Sequence, residues 1–238
     1  SDTFCGTVKS FTTQQAQSHT VSGWLELPAE YDVTSMAGTT TSSLAGLMQI
    51  THSVSSERNY TFLYDPEMYA SYWVAYPLAN GHLGSSNRPD EFPKDPDVPA
   101  DKQTDIKSRG YGVSINSDNY QSNFYARGHQ LPNADRNGNA VMQEQAFYAT
   151  NITPQIQNGF NGGIWEHLES AVRSAVPSSD TLYVVTGAAF RKKGGSETVN
   201  TIVNINDNKI LPIPNYYWKV VLKVKRNQEG SITDASTV

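Results

Sequence analysis

Cysteine is almost absent from this sequence: Cys5 is the only one among 238 residues, so no disulfide can form within the chain. Long apolar runs are also missing, since no stretch approaches the roughly 18 apolar residues that a membrane-spanning helix needs. No segment repeats at a period of about 20–50 residues, which excludes solenoids and propellers. The sequence therefore predicts a protein built around an ordinary hydrophobic core.

Charged residues are few as well, at 17% of the chain, and the net charge is −5. A negative net charge argues against a nucleic-acid partner, because contacts to phosphate need Lys and Arg. The charge is uneven, however: there are 7 basic and 14 acidic residues up to residue 118, and 11 basic and 9 acidic residues after it. A local basic groove in the second half is therefore compatible with nucleic acid.

Length and composition predict one large globular domain with a short extension. Residues 1–22 are polar and rich in Gln, Ser and Thr. We expect an N-terminal extension there and a folded domain over 23–238, with its core at 47–225. The chain begins at Ser1 without an apolar leader, so we expect that a targeting segment has been removed. The low charge favours an extracytoplasmic location of bacterial type (secreted, periplasmic or surface), and lipid anchoring at Cys5 is the less favoured alternative.

Alternation of apolar and polar residues predicts most of the secondary structure as strands. The strands are expected at 24–28, 47–54, 59–64, 72–78, 181–187, 201–205 and 217–225. In the last of these, Lys alternates with Val and Leu, so one face is expected to be wet and the other dry. Between 79 and 110 the density of Gly, Pro, Asp and Ser predicts a long loop, and 191–195 reads as a hairpin tip.

The clearest helix is expected over 161–175, and a shorter one over 144–149. In the longer segment an apolar repeat at helical spacing is formed by Ile164, Leu168, Ala171 or Val172, and Ala175. On such a helix Asn161 and Glu169 are eight residues apart, about 80° around the axis at about 100° per residue. They would share one side while Ile164 and Leu168 pack inward. Strands on both sides of a central helix predict an α+β fold, mainly antiparallel sheet with flanking helices.

Arg127 and His129 are the first candidates for chemistry, because they lie two residues apart just before a proline and a polar turn. If the chain is extended there, both side chains point to the same side. Arg suits the non-bridging oxygens of a phosphodiester, and a neutral imidazole can activate water. A surface arginine beside a structural histidine is the plain alternative. His19, His52, His82 and His167 are predicted to be structural or surface residues.

The order and spacing of the polar motifs are more specific than any one of them. Arg-Gly-His-Gln at 127–130 is followed by Asn-Ile-Thr-Pro-Gln at 151–155, and then by Asn161 with Leu-Glu at 168–169. Arg88 precedes them in the long loop. This pattern resembles the sugar-nonspecific DNA/RNA endonucleases, whose motif is written DRGH, over roughly residues 47–225. The resemblance implies the ββα-metal (His-Me finger) nuclease fold.

The resemblance also implies roles for single residues. His129 would be the general base that deprotonates the attacking water. Asn161 would be the one protein ligand of a single Mg²⁺ ion, for which Mn²⁺ could substitute, and oxygen donors suit that ion. Arg88 would grip the phosphate and stabilise the charge of the transition state. Activity would then fall below about pH 6.5, the unperturbed pKa of histidine.

Three further implications complete this expected site. Glu169 would orient metal-bound water, and Arg127 and Asn151 would support the site and bind substrate. DNA and RNA would be held through the phosphate backbone, which carries no sequence information. The products would have 5′-phosphate and 3′-hydroxyl ends. Each of the weaker assignments has a plain alternative: a helix cap for Asn161, a solvated carboxylate for Glu169, a loop charge for Arg88 and a turn cap for Asn151.

Ala126 is the one departure from the motif, because it stands where the family pattern has Asp. That carboxylate belongs to the supporting residues of the site, and losing such a group typically costs about 10–100-fold in metal affinity or activity. Asp135 is a candidate replacement in space. The alternative functions are a catalytically weakened nucleic-acid-binding module on the same fold, and an interaction protein that needs neither metal nor nucleic acid.

Overall fold

The computed structural model describes residues 25–28, 46–106, 111, 125–190 and 199–237. The predicted extension at 1–22 and the hairpin tip at 191–195 lie outside these residues. Within them, no helix is long and apolar enough to span a bilayer. The strands are, in chain order, β1 Met48–Val54, β2 Glu57–Asp65, β3 Ala70–Leu78, β4 Tyr125–His129, β5 Ile152–Ile156, β6 Leu182–Ala189, β7 Thr201–Val203, β8 Ile210–Pro212, β9 Tyr216–Arg226 and β10 Ile232–Thr237.

The helices are fewer and shorter than the strands. They are α1 Ala140–Ala146 and α2 Glu166–Ser174, with short 3₁₀ turns at Asn80–His82, Ala100–Lys102, Asn133–Asp135 and Ala149–Asn151. Asn139 caps α1, because its side chain accepts hydrogen bonds from two backbone N–H groups of the first turn. The helix predicted at 144–149 is thus present, but it begins at Ala140 and ends at Ala146.

Six strands form one antiparallel sheet in the order β1-β2-β3-β6-β9-β10. Strands β4 and β5 form a separate antiparallel pair, and β7 pairs with β8. The first core cluster lies on one face of the large sheet, where alternate residues of β2, Tyr60, Phe62 and Tyr64, are at most 1% exposed. This alternation is the pattern from which the sheet was predicted, and the α+β fold class is confirmed.

A second core cluster lies beneath the β4–β5 pair. It contains Phe92, Phe147 and Ile152, and Leu211 of the β7–β8 hairpin contributes to it. The described part of the long loop, 79–106, has no strand and only two 3₁₀ turns, as predicted. Its Asp95 and Gln103 are buried and hydrogen-bonded to each other, so this loop has a defined internal structure.

The predicted strands differ from the observed ones in two ways. Leu25, Glu26 and Leu27 form a turn instead of a strand, and the Glu26 carboxylate pairs with the buried guanidinium of Arg58. Strands β5 and β8 were not predicted, and neither was β10, whose residues Ile-Thr-Asp-Ala-Ser-Thr lack an apolar alternation. It lies at the edge of the sheet with every residue exposed, so packing imposes no pattern on its sequence.

The helix predicted from residue 161 also needs correction. The segment Gln157–Trp165 is helical only in part, with non-helical backbone angles at Asn158, Gly159, Gly162 and Gly163. Glycine is unfavourable within a helix, so regular structure begins only at Glu166. The 80° relation between Asn161 and Glu169 therefore does not apply.

The inward face of α2 agrees with the predicted one at Val172 and differs from it at Ile164 and Leu168. Ile164 and Leu168 are 68% and 41% exposed, whereas Trp165 is 5% and Val172 is 8% exposed. Trp165 and Val172 are seven residues apart, with Glu169 between them on the same face. Glu169 thus lies on the face of α2 that is turned toward the sheet, where it interacts electrostatically with Lys219 of β9.

Candidate active site

The β4–β5 pair presents Arg127 and His129 on one side. β4 is extended, with Arg127 opposite Pro154 and His129 opposite Ile152, so the two side chains face the same way. Between them, Gly128 leaves room for the side chain of Gln155, which would lie only 2.2 Å from a Cβ at that position. The sequence Arg-Gly-His is thus a strand in which the glycine is required by packing.

The imidazole of His129 lies against two aromatic rings, with centroid distances of 4.7 Å to Phe147 and 5.6 Å to Phe92. Its Nε2 is buried and has no hydrogen-bond partner among the described residues. Burial, together with the charges of Arg88 and Arg127, lowers the pKa of His129 to about 3, although a hydrogen bond with the Arg127 backbone opposes this shift. The imidazole is therefore neutral well below pH 6.5, so the expected titration at 6.5 does not fit this environment.

Arg88 and Arg127 flank the same aromatic pair. The Arg88 guanidinium lies over the Phe147 ring at 4.9 Å and the Arg127 guanidinium over the Phe92 ring at 4.1 Å. Burial lowers the pKa of both groups, and the charge of Arg88 adds to the effect on Arg127. Two neighbouring cations repel each other, so an anion placed between them would be bound favourably.

Asn151 is brought next to this strand but is fully buried. Its Oδ1 accepts from the Leu131 backbone N–H at 2.8 Å, and its Nδ2 donates to the carbonyls of Leu131 and Ala146 at 3.0 and 2.7 Å. Both amide hydrogens are used, so no donor is left for a phosphate. The geometry supports the turn-fixing alternative for Asn151: it holds the chain that follows His129.

We expect Asn151→Ala to lower the free energy of unfolding by more than about 2 kcal/mol. The substitution leaves three buried backbone groups without partners, and each such group costs about 1–3 kcal/mol. Asn161→Ala is the matched control, since it removes one hydrogen bond and should cost about 1 kcal/mol or less. Urea unfolding measures both; equal losses for the two variants would contradict a structural role for Asn151.

Asn161 lies in the irregular segment Gln157–Trp165, which packs against both β4 and β5. Its Nδ2 donates to Gln157 Oε1 at 3.1 Å, which orients the amide, and none of the described residues donates a hydrogen bond to its Oδ1. Among those residues, no hydrogen bond or ion pair joins Asn161 to His129. His129 is the last residue of β4, so its ring lies at the end of the strand pair.

Glu169 points into a network of charged groups that sequence analysis missed. Burial raises the pKa of Glu169 to about 7; Lys219 and Arg173 oppose the rise, and Asp135 adds to it. Lys219 was expected on the wet face of its strand, but its Nζ donates to Thr186 Oγ1 and lies 3.3 Å from the Tyr76 hydroxyl. Alternation on β9 located Lys219 on one face but could not show that α2 covers this face.

Asp135 does not replace the missing carboxylate of the motif. One of its oxygens pairs with Arg173 at 2.9 Å and the other accepts from the Tyr76 hydroxyl at 3.0 Å. Both carboxylate oxygens are thus paired with side chains of α2 and β3. No signal in the sequence singled out Arg173, although it lies one helical turn after Glu169 on α2.

A second cluster lies apart from the predicted site residues. His52, Asp95 and Asp97 bring one ligand atom each within 4.8 Å of one another, so they could hold a metal ion. His52 bridges the two carboxylates, with Nε2 2.8 Å from Asp95 and Nδ1 3.3 Å from Asp97. Asp95 also accepts a hydrogen bond from Thr150, the neighbour of Asn151. His52 had been predicted to be structural or exposed, and it is buried.

Comparisons with known proteins agree with the fold and with the family suggested by the motifs. A family model described as DNA/RNA non-specific endonuclease matches residues 44–238. The chain is 29% identical over 133 residues to Nuclease C1 of Cunninghamella echinulata var. echinulata, covering 56% of this chain and 48% of the relative. It is 27% identical over 182 residues to mitochondrial endonuclease G of Homo sapiens, covering 75% and 56%. The chain thus spans about half the length of the curated relatives it matches.

A solved structure supports the same architecture. The chain matches a crystal structure of the EndoG/EndoGI complex, described as showing the mechanism of EndoG inhibition, with a TM-score of 0.54 and 22% identity. The match covers 82% of this chain and 78% of the other. At this identity the likeness shows the fold, in which a strand pair and a following helix, here β4, β5 and α2, form the ββα unit.

Proposed function

The chain belongs to the DNA/RNA non-specific endonuclease family, and on that premise we propose that it is a Mg²⁺-dependent endonuclease. Its substrates would be DNA and RNA, bound without preference for sequence or sugar. One observation carries the proposal: the neutral imidazole of His129 lies beside two arginines, and its buried Nε2 has no partner in the described part of the chain. This arrangement provides a proton acceptor next to an anion site.

Four side chains of this protein would have separate roles in the cleavage reaction. Arg88 and Arg127 would hold the non-bridging oxygens of the scissile phosphate and stabilise the charge that develops there. His129 Nε2 would accept the proton of the attacking water. Glu169 would accept a hydrogen bond from a water molecule at the site and so fix the orientation of that water. Contacts to phosphate carry no base identity, so a site of this kind is indifferent to sequence.

The donor set fits a single Mg²⁺ ion at Asn161. Gln157 orients the Asn161 amide, and no residue in the described ranges donates a hydrogen bond to its Oδ1. Mg²⁺ prefers oxygen ligands and keeps most of its waters. When bound, the ion supplies Lewis-acid stabilisation of phosphate charge. The His52 cluster offers an imidazole nitrogen, a donor better suited to transition metals such as zinc than to Mg²⁺. Asn161 is therefore the better candidate for the magnesium ligand.

Supercoiled plasmid and total RNA incubated with the protein test this proposal directly. With Mg²⁺ both should be degraded, and with EDTA both should stay intact. If both substrates survive with Mg²⁺ across pH 6–9 while the folded protein still shifts DNA in a gel, the binding-module alternative is correct. Survival without any DNA binding favours an interaction protein on this fold.

The pH dependence should reflect Glu169 and not His129. The raised pKa of Glu169, about 7, means that its carboxylate is protonated as the pH falls through 7, whereas His129, with a lowered pKa of about 3, stays neutral. We expect kcat/KM to fall below about pH 7, because this quantity reports the ionisation of the free enzyme.

The variant Glu169→Gln checks which group is responsible. It should be slower overall, but its kcat/KM should stay flat between pH 5 and 8, since the titrating carboxylate is gone. Measurements use saturating Mg²⁺ and a short oligonucleotide. An acid limb that persists unchanged in Glu169→Gln would assign the titration to another group.

A further inference from the structure

Three aromatic rings fix the imidazole of His52, which lies on β1. Its centroid is 5.0 Å from that of Tyr60, 5.5 Å from that of Phe62 and 5.2 Å from that of Tyr148. The register between β1 and β2 shifts directly after His52, and a bulge of this kind changes the direction of the side chains next to it. Since the side chain is only 4% exposed and packed in this way, its two nitrogens point in fixed directions.

The two nitrogens face two carboxylates of the long loop, and only one of these contacts is a good hydrogen bond. Nε2 lies 2.8 Å from Asp95 Oδ2. The Asp95 carboxylate also accepts from Thr150 Oγ1 at 2.7 Å and from the Asp97 backbone N–H at 3.0 Å, so both its oxygens are used. Nδ1 lies 3.3 Å from Asp97 Oδ2, which is long for a hydrogen bond, and within the described ranges no residue hydrogen-bonds to either atom.

The space between Nδ1 and Asp97 has the dimensions of a zinc site. Zn²⁺ binds imidazole nitrogen and carboxylate oxygen at about 2.0–2.2 Å, so two such ligands at a tetrahedral angle are about 3.3–3.5 Å apart. The observed 3.3 Å agrees with this separation. A histidine that binds a metal usually donates its other ring N–H to a carboxylate, and Asp95 is in that position. The Asp97 side chain is 59% exposed, so water can complete the coordination.

We propose that His52 Nδ1 and the Asp97 carboxylate bind one transition-metal ion of the zinc type, with Asp95 as the carboxylate that orients the imidazole. An imidazole nitrogen in the ligand set favours such an ion over Mg²⁺ or Ca²⁺. The site has different ligands from the proposed magnesium site at Asn161. It goes beyond the proposed function and does not depend on it.

The ion would fasten the long loop to the large sheet, because Asp97 belongs to the loop and His52 to β1. The loop is already ordered at this point: the Gln103 amide accepts from the Asp95 backbone N–H at 2.6 Å and donates to its carbonyl at 2.7 Å. Three residues before Asp95, Phe92 packs on His129 at 5.6 Å. A metal ion here therefore stabilises the part of the loop that shapes the candidate active site.

Isothermal titration calorimetry with Zn²⁺, without nucleic acid and with excess Mg²⁺, tests the site. All proteins carry Cys5→Ser, because a free thiol also binds zinc. We expect one Zn²⁺ ion per chain in the parent. Asp97→Asn should weaken binding at least about 10-fold and His52→Gln at least about 100-fold, since each changes a ligand. Asp95→Asn should cost about 10–100-fold, the range for a group that hydrogen-bonds to a metal ligand.

Asp97→Asn is the decisive variant, because the side chain is exposed and its replacement should not disturb the fold. Asp101→Asn is its matched control, at another exposed carboxylate of the same loop, and should bind Zn²⁺ like the parent. Asn161→Ala should also bind Zn²⁺ like the parent, since the proposed magnesium ligand is not part of this site. A ligand that binds only the folded state raises the melting temperature. Excess Zn²⁺ should therefore raise it for the parent and Asp101→Asn, but much less for Asp97→Asn.

Two results would overturn this inference. If the parent binds no Zn²⁺, or if Asp97→Asn binds it as tightly as Asp101→Asn does, the cluster is an ion-pair contact between loop and sheet and not a metal site. Nucleic-acid cleavage enters neither measurement. A parent that binds Zn²⁺ through Asp97 but cleaves no plasmid or RNA would support this site and contradict the proposed function alone.

Discussion

His129→Ala should lose about 100- to 10,000-fold in the rate of plasmid and RNA cleavage while keeping its affinity for DNA. General-base catalysis by a positioned side chain contributes a factor of this size. The base can act at neutral pH because burial keeps its pKa low and the ring uncharged. DNA affinity depends on the arginines nearby, which the substitution leaves in place.

A single-turnover assay at saturating protein measures the chemical step, and a gel shift in EDTA measures binding. His167→Ala is the matched control, because that histidine is exposed on α2. It should cleave at the parent rate. His129→Ala cleaving within about threefold of the parent would remove His129 from the mechanism. Because the imidazole of His129 packs on Phe92 and Phe147, the melting temperature should be measured for both variants.

Periodicity predicted the large sheet well because a hydrophobic core cluster lies on one face of it. In β2, Tyr60, Phe62 and Tyr64 belong to that cluster and the intervening Thr61 and Leu63 do not, so the sequence shows a period of two. Among the described strands, β10 pairs only with β9, at the edge of the sheet. All its residues are exposed, so its sequence shows no alternation of apolar and polar residues. The start of the helix was predicted wrongly for a different reason. Ile164 and Leu168 are spaced as in a helix, but glycines before Glu166 have non-helical backbone angles.

The part of the candidate site that consists of residues close in sequence was predictable. Arg127 and His129 needed only an extended strand to face one side, and β4 provides it. What surrounds them was not predictable, because Phe92 and Phe147 come from distant segments and apolar residues carry no functional signal. The burial that lowers the pKa of His129 is a tertiary property. The alternation of β9 likewise could not show that Lys219 would face α2.

The roles of the arginines give the second large expected effect. Arg88→Ala should reduce kcat by about 100- to 1,000-fold, the range for removing a donor that stabilises charge in the transition state. Its guanidinium is held over Phe147, so the fork is oriented before substrate binds and little reorganisation is needed. Arg88→Lys keeps a charge but loses the planar fork and should recover only part of the rate.

An independent readout comes from His129 itself. The charge of Arg88 lowers the pKa of the imidazole, so Arg88→Ala should raise the pKa of His129 in an NMR titration of the free protein. Lys94→Ala, a charge change in the same loop, removes a partly exposed pair with Asp105 and a hydrogen bond to the Ala100 carbonyl, and it should alter neither kcat nor that pKa. If Arg88→Ala raises KM alone and leaves the His129 pKa in place, Arg88 is a remote binding contact. If kcat and the pKa change together, one arginine both holds the phosphate and keeps the base neutral.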